Sequence, residues 1–340
     1  MTVQSIINTT GNALADRTVH GIIGLFELLL PHSVCSCYVE GSYANQSFIE
    51  TSDLDLILVL QAPLATEREQ ARASHLLEAC RQVSSLELDI ALTDLFQLQQ
   101  SADPLFKLGA LLLFGHEIRN TIPLMPTGLW ARQRMHAAFW LMIHVFHRPQ
   151  PVIAPITFPQ PDDAFFGYAA RPMQLANGTE TRTTRDLIRI TGWIATARIA
   201  YQAHSYVVDK RSCISTYRDT IGDEWTGLLA TIEQRCRTSW QYRIPESANE
   251  QAELRAITAQ VLEYENHFLG VYNHFLLTEL TSDDRAGQVT ALEMLERTWY
   301  PEPALLAALH QQANIGDAEV STKAKQLIKR WQELAPTAIE

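Results

Sequence analysis

Apolar positions recur at helical spacing through residues 18–30 and stop at Pro31, which predicts a helix there. Residues 33–40, with Val34, Tyr38 and Val39, predict a short strand running into a glycine. Residues 54–60 read LDLILVL, an almost unbroken Leu/Ile/Val run ended by Gln61-Ala62-Pro63, and predict a central buried strand. Helical spacing returns over 66–83, where Ala71, Ala73, Leu76, Leu77 and Cys80 share a side. Residues 86–93 then alternate strictly, with Leu86, Leu88, Ile90 and Leu92 on one face and Glu87, Asp89 and Ala91 on the other. A helix over 103–113 and a last short strand over 115–120, leaving at Pro123, complete this pattern.

From about residue 126 the strand periods give way to helices, first over 129–146. Six prolines then break the stretch 149–172, PQPVIAPITFPQPDDAFFGYAARP, which is too proline-dense for a regular helix. Its Phe158, Phe165, Phe166 and Tyr168 predict a packed loop. Helices follow over 184–203, 210–218, 223–237, 249–280, 286–299, 302–313 and 320–334. The fold class expected is therefore α+β: a small mixed sheet over residues 1–124, then an all-α bundle over 125–340. The insert at 149–172 and an extension over 285–340 belong to the second part.

A chain of 340 residues is about twice the usual 150 of a single domain, which agrees with that division. Its net charge of -11 opposes long-range attraction to nucleic acid. The five cysteines are scattered, without the spacing of a disulfide framework or a zinc site, which suits a reducing cytoplasm. The greasiest early stretch, 21–30, carries Glu27 and is too short to span a bilayer, so no membrane association is expected.

The candidate chemistry lies in residues 41–60, GSYANQSFIETSDLDLILVL. Gly41 lets backbone approach a phosphate chain, and Ser42 offers an amide and a hydroxyl to its oxygens. Asp53 and Asp55 stand two apart at the start of a strand, so their side chains share a face with about 7 Å between α-carbons. Hard carboxylates so placed suit Mg2+, and two ions can bridge the attacking and leaving oxygens of an in-line displacement. A third carboxylate comes from the alternating strand, where Asp89 is the first choice as ligand. Glu87 is the alternative, or an additional general base.

Gly-Ser, a spacer, Asp-x-Asp and a later carboxylate together resemble the pattern of the DNA polymerase beta-like nucleotidyltransferase superfamily, over residues 20–124. The segments DLIRITGWIATARIAYQ and VVDKRSCISTYRD are similar to the helical part of streptomycin/spectinomycin-type aminoglycoside adenylyltransferases. That resemblance implies a magnesium-dependent enzyme carrying a nucleoside monophosphate, AMP from ATP, to a hydroxyl and releasing pyrophosphate. It also implies that Gly41, Ser42, Ser52 and Lys210 contact the nucleotide, and that Asp53, Asp55, Asp89 and Glu87 form the catalytic and metal set. The acidic chain favours a small, cationic acceptor. The alternatives are transfer to a macromolecule, such as a tRNA end or a protein, and a nucleotide-binding protein without turnover.

Weaker features read more simply as structure. Asp162 and Asp163 fit a packed surface loop, Asp186 a helix N-terminal turn, His144 and His147 core or cap positions, and Trp193, Trp225 and Trp240 core anchors. The polar cluster Glu263, Glu265, Asn266 and His267 is expected to lie in part at the solvent.

Overall fold

The structure is a computed structural model that describes residues 7–174, 180–300, 302–315 and 317–334, with the side chains of residues 174, 210 and 211 outside that description. The chain divides into two compact units, one built from Met1–Ala131 with Ile199–Ile221, the other from Arg132–Met173, Glu180–Arg198 and Gly222–Glu340. Among the described residues no helix is long and apolar enough to cross a membrane.

In the first unit four strands, β1 (Val34–Val39), β2 (Leu54–Leu60), β3 (Leu88–Asp94) and β4 (Leu111–Gly115), form a sheet in the order β3-β2-β1-β4. β1 runs antiparallel to β2 and to β4, and β2 runs parallel to β3, so the sheet is mixed. The period of two in β2 sends Leu54, Leu56, Leu58 and Leu60 to one face. There they meet Val19, Ile23 and Phe26 of α1 (Ala13–Leu29) and Ala73, Leu76 and Cys80 of α3 (Glu67–Val83) in one buried cluster. Each such leucine contributes roughly 1.5–3 kcal/mol by leaving water. On the opposite face Tyr38 and Val59 pack with Phe106, Ile118 and Ile122. Two short helices, α2 (Gly41–Ala44) and α4 (Leu95–Gln100), follow β1 and β3. Thr66 caps α3 in a reciprocal box with Glu69, which fixes where that helix begins.

The last strand lies earlier than the sequence pattern predicts. Leu111–Gly115 is β4, preceded by a single widened helical turn, Leu105–Gly109, in place of a helix through residue 113. The run Leu-Leu-Leu-Phe suits either state by composition. Pairing with β1, from Val39↔Leu111 to Ser36↔Gly115, decides for the strand.

The second unit is mostly helical: α5 (Thr127–Val145) from Arg132 onward, α6 (Arg185–Gln202) as far as Arg198, α8 (Thr226–Ile232), the 34-residue α9 (Ala248–Thr281), α10 (Arg285–Leu295), α11 (Pro303–Ile315) and α12 (Ala318–Leu334). Between them in sequence, α7 (Lys210–Thr220) belongs to the first unit. The second unit is not all-α, however. Val152–Ile153 (β5) pairs in parallel with Thr298–Trp299 (β8), and Pro172–Gln174 (β6) pairs with Glu180–Arg182 (β7). The helix expected over 286–299 consequently stops at Leu295. Prolines that exclude helix from the 149–172 insert leave its backbone groups to be met by other segments, as in the Val152 N–H bond to the Arg297 carbonyl.

The insert is tied down by α9. Glu265, which its sequence context places among residues partly at the solvent, is fully buried. Its Oε2 accepts from Arg148 Nη2 at 2.6 Å and from the Tyr168 hydroxyl. Burial raises the Glu265 pKa against the opposing pull of Arg148. Next to it, Asn266 exchanges hydrogen bonds with the backbone of Ile156, while Glu263 is exposed.

Candidate active site

The C-terminal end of β1 and the N-terminal ends of β2, β3 and β4 lie at one edge of the sheet, since Val39 pairs with both Leu56 and Leu111, and Leu54 with Leu88. The sheet candidates are carried by three of these ends. Gly41 follows β1, Asp53 and Asp55 open β2, and Glu87 and Asp89 open β3.

Gly41 begins α2 with φ of +63°, a conformation L side chains rarely adopt. A β-carbon there would meet Asp55 Oδ2 at 2.6 Å. The glycine therefore does two things, turning the chain and leaving the space that the Asp55 carboxylate fills. A backbone bond from the Glu40 N–H to the Asp55 carbonyl, 2.9 Å, holds the two segments together.

Asp55 pairs in register with Asp89 across the parallel β2–β3 ladder. Residues in register on adjacent parallel strands project to the same face, about 4.8 Å apart. Because Leu54 and Leu56 point toward α1 and α3, both carboxylates lie on the other face of the sheet. The bond from Leu54 N–H to the Glu87 carbonyl, 2.9 Å, carries the pairing one step further back, toward Asp53 and Glu87. Asp89 and Glu87 are exposed, and Asp53 and Asp55 are half-buried.

The loop between α2 and β2 is ordered by its own side chains. Ser52 is buried and its hydroxyl accepts from the Ile49 N–H at 3.0 Å, so it closes the turn that delivers Asp53. Ser42 is half-exposed, and its carbonyl accepts from the Ser47 N–H. Tyr43, which the sequence pattern does not single out, is buried and stacked on Phe48 at 4.8 Å. Burial raises its pKa, and the negative charge of Asp53 raises it further. An aromatic residue one position after Gly-Ser is the available signal.

Lys210 opens α7, and its side chain lies outside the described residues. The segment that leads to it belongs to the same unit as the sheet.

Asp53, Asp55 and Asp89 offer oxygen donors of the hard type that magnesium prefers, and the β2–β3 register brings Asp55 and Asp89 to one face of the sheet. Among the described residues no three of His, Cys, Asp or Glu already converge as a metal-holding group. His144 is occupied otherwise, stacking on Trp140 at 4.1 Å with Nδ1 on the Trp140 carbonyl. Asp163 is held by Arg182 through two 2.8 Å bonds and by the N–H groups of Phe165 and Gly167, the role of a packed loop. Asp162 is exposed beside it. Asp186 lies in the first turn of α6, where burial raises its pKa against the lowering charges of Arg171 and Arg189.

No protein-family model matches the chain, and no curated protein matches it either.

Proposed function

We propose that the protein is a nucleotidyltransferase that carries AMP from ATP to a hydroxyl of a small, cationic acceptor. The observation that carries this reading is the in-register pairing of Asp55 with Asp89, with Gly41 packed against the Asp55 carboxylate. Carboxylates on one face are mutually repulsive, and a cation with a bound polyphosphate relieves that repulsion.

Gly41 and Ser42 would receive the triphosphate through backbone N–H groups and the serine hydroxyl, with Ser52 holding the loop behind them. Magnesium, held by Asp53, Asp55 and Asp89, would neutralise phosphate charge and fix its orientation. Glu87, exposed and two residues before Asp89, is the candidate to take the proton from the acceptor hydroxyl at a carboxylate oxygen. The acceptor oxygen bonds to the α phosphorus, the bond to the bridging oxygen breaks, and pyrophosphate leaves.

The test is a transfer assay with ATP labelled either at the α or at the γ phosphate, run against a panel of aminoglycosides and other cationic polyols. Label reaching acceptor from the α position only, with release of pyrophosphate, supports the reading. Label arriving from the γ position marks phosphoryl transfer and overturns it.

A further inference from the structure

α1 and α3 cover one face of the sheet, and their outer surfaces border an open groove within the first unit. Its apolar lining is Leu29 of α1 with Ala71, Leu76 and Ala79 of α3. Ala71 and Ala79 lie about two helical turns apart and are small, which keeps the groove concave along α3. From Arg68 to Ala79 it runs for about 16 Å at the helical rise per residue. On α1, Leu25 and Leu28 are exposed as well as Leu29, and Val83 is exposed at the end of α3. Single exposed leucines are ordinary on a protein surface, whereas neighbouring ones beside an apolar groove form a patch that marks an interaction site.

The groove also carries basic side chains. Arg68, Arg72 and His75 stand at i, i+4 and i+7 of α3 and so share a side of that helix. Arg72 Nη1 donates to the Leu29 carbonyl at 3.2 Å, while Arg68 and His75 make no hydrogen bond or ion pair among the described residues. The carboxylates of the two helices are engaged in other ways. Glu69 accepts from the Ala65 and Thr66 N–H groups, Glu78 pairs with Arg81, and Glu27 accepts from the His32 N–H. Glu67 stands in the first turn of α3, where the helix dipole favours its charge. In a chain of net charge -11, the groove is thus a local concentration of basic groups beside apolar surface.

We propose that this groove docks an acidic amphipathic helix of a partner protein, whose leucine-like side chains enter between α1 and α3 while carboxylates on its flank meet Arg68, Arg72 and His75. A trough between two helices matches the convex side of a third, which inserts apolar anchors at i, i+3 or i+4 and i+7; a bilayer surface is flat. A helix without carboxylates would cover the guanidinium groups and leave them unpaired. A second copy of the chain docking through the same face would set these basic groups against their own equivalents. Asp55 and Asp89 lie on the opposite face of the sheet from α1 and α3, so a docked partner leaves the candidate site open, whatever reaction that site performs.

The experiment is fluorescence anisotropy of the full chain with a labelled helical peptide of about 18 residues that carries leucine along one face and glutamate on both flanks, beside a twin with lysine in place of every glutamate. Wild type is expected to bind the glutamate peptide saturably and in preference to the lysine twin. In Arg68→Glu/His75→Glu two attractions become two repulsions, so the preference should reverse and the glutamate peptide should bind about tenfold more weakly. Neither side chain makes an internal hydrogen bond or ion pair, so this variant is expected to melt as wild type does. Ala71→Trp fills the groove without changing its charge and should abolish binding of the glutamate peptide. Absence of saturable binding, equal binding of the two peptides, or an unchanged preference in Arg68→Glu/His75→Glu would overturn the proposal. Binding that Ala71→Trp leaves intact marks charge attraction without docking and overturns it too. Wild-type protein that sediments with phosphatidylserine vesicles yet binds no peptide marks a membrane contact, and self-association lost in Arg68→Glu/His75→Glu marks an interface between copies; either result replaces the proposal.

Discussion

Replacing Gly41 by alanine adds one carbon at the centre of the candidate site, and its consequences can be worked out separately for fold and for ligand. The backbone there has φ of +63°, and holding an L side chain in that conformation costs roughly 1–2 kcal/mol. The new β-carbon would lie 2.6 Å from Asp55 Oδ2, the far end of a short side chain that can rotate away. Steric relief therefore adds little to the stability loss, but it moves the carboxylate. Displacing a group that orients a metal ligand typically lowers metal affinity by about 10- to 100-fold. Gly41→Ala is thus expected to melt only a few degrees lower, at about 2–4 °C per kcal/mol for a domain of this size. Magnesium-dependent triphosphate binding should fall by at least tenfold, in parallel thermal-melt and calorimetric measurements. A variant that shows the predicted drop in stability yet binds as well as wild type would refute the link between Gly41 and the Asp55 carboxylate.

Asp89→Asn should reduce transfer far more than Asp55-dependent binding of ATP alone, whereas Glu87→Gln should change the pH dependence of kcat; steady-state kinetics across pH distinguishes the two. Glu265→Ala leaves Arg148 buried without its ion-pair partner and should cost about 3–5 kcal/mol in urea unfolding, with recovery when Arg148→Met is added to Glu265→Leu. Hydrogen bonds and charge from Arg182 hold the Asp163 carboxyl down at about 2, below its ordinary 3.8. Its contribution to stability is then complete above the unfolded value and is lost as pH falls from about 4 toward about 2. Unfolding curves over that range should show a smaller pH dependence in Asp163→Asn than in wild type. Thr66→Ala removes one half of the capping box of α3 and should lower stability by about 1 kcal/mol in the same assay.

The elements that flank the candidate site are legible in the sequence because their periods are unmistakable. LDLILVL, bounded by Gln61-Ala62-Pro63, is β2 over the same seven residues, and the alternation from Leu88 onward is β3. Once those strands are recognised, Asp53, Asp55 and Asp89 follow by face. What the residues alone do not give is register. That Asp55 lies beside Asp89 depends on the parallel pairing, and a shift of one residue would send the two to opposite faces. Leu111–Leu113 reads as the end of a helix because three leucines carry no period, and only the antiparallel partner of Leu111–Gly115 decides its state. The cluster of Glu263, Glu265, Asn266 and His267 reads as lying only in part at the solvent, and the sequence does not say which member is buried; the burial of Glu265 depends on Arg148 and Tyr168, 117 and 97 residues away in sequence.

The most direct test of the account is calorimetric titration of the purified protein with each of the four ribonucleoside triphosphates, with and without magnesium, beside an Asp53→Ala/Asp55→Ala variant that melts cooperatively. The account predicts magnesium-dependent binding of ATP to wild type that the variant loses. Binding of no triphosphate, or binding that the variant retains in full, would contradict it.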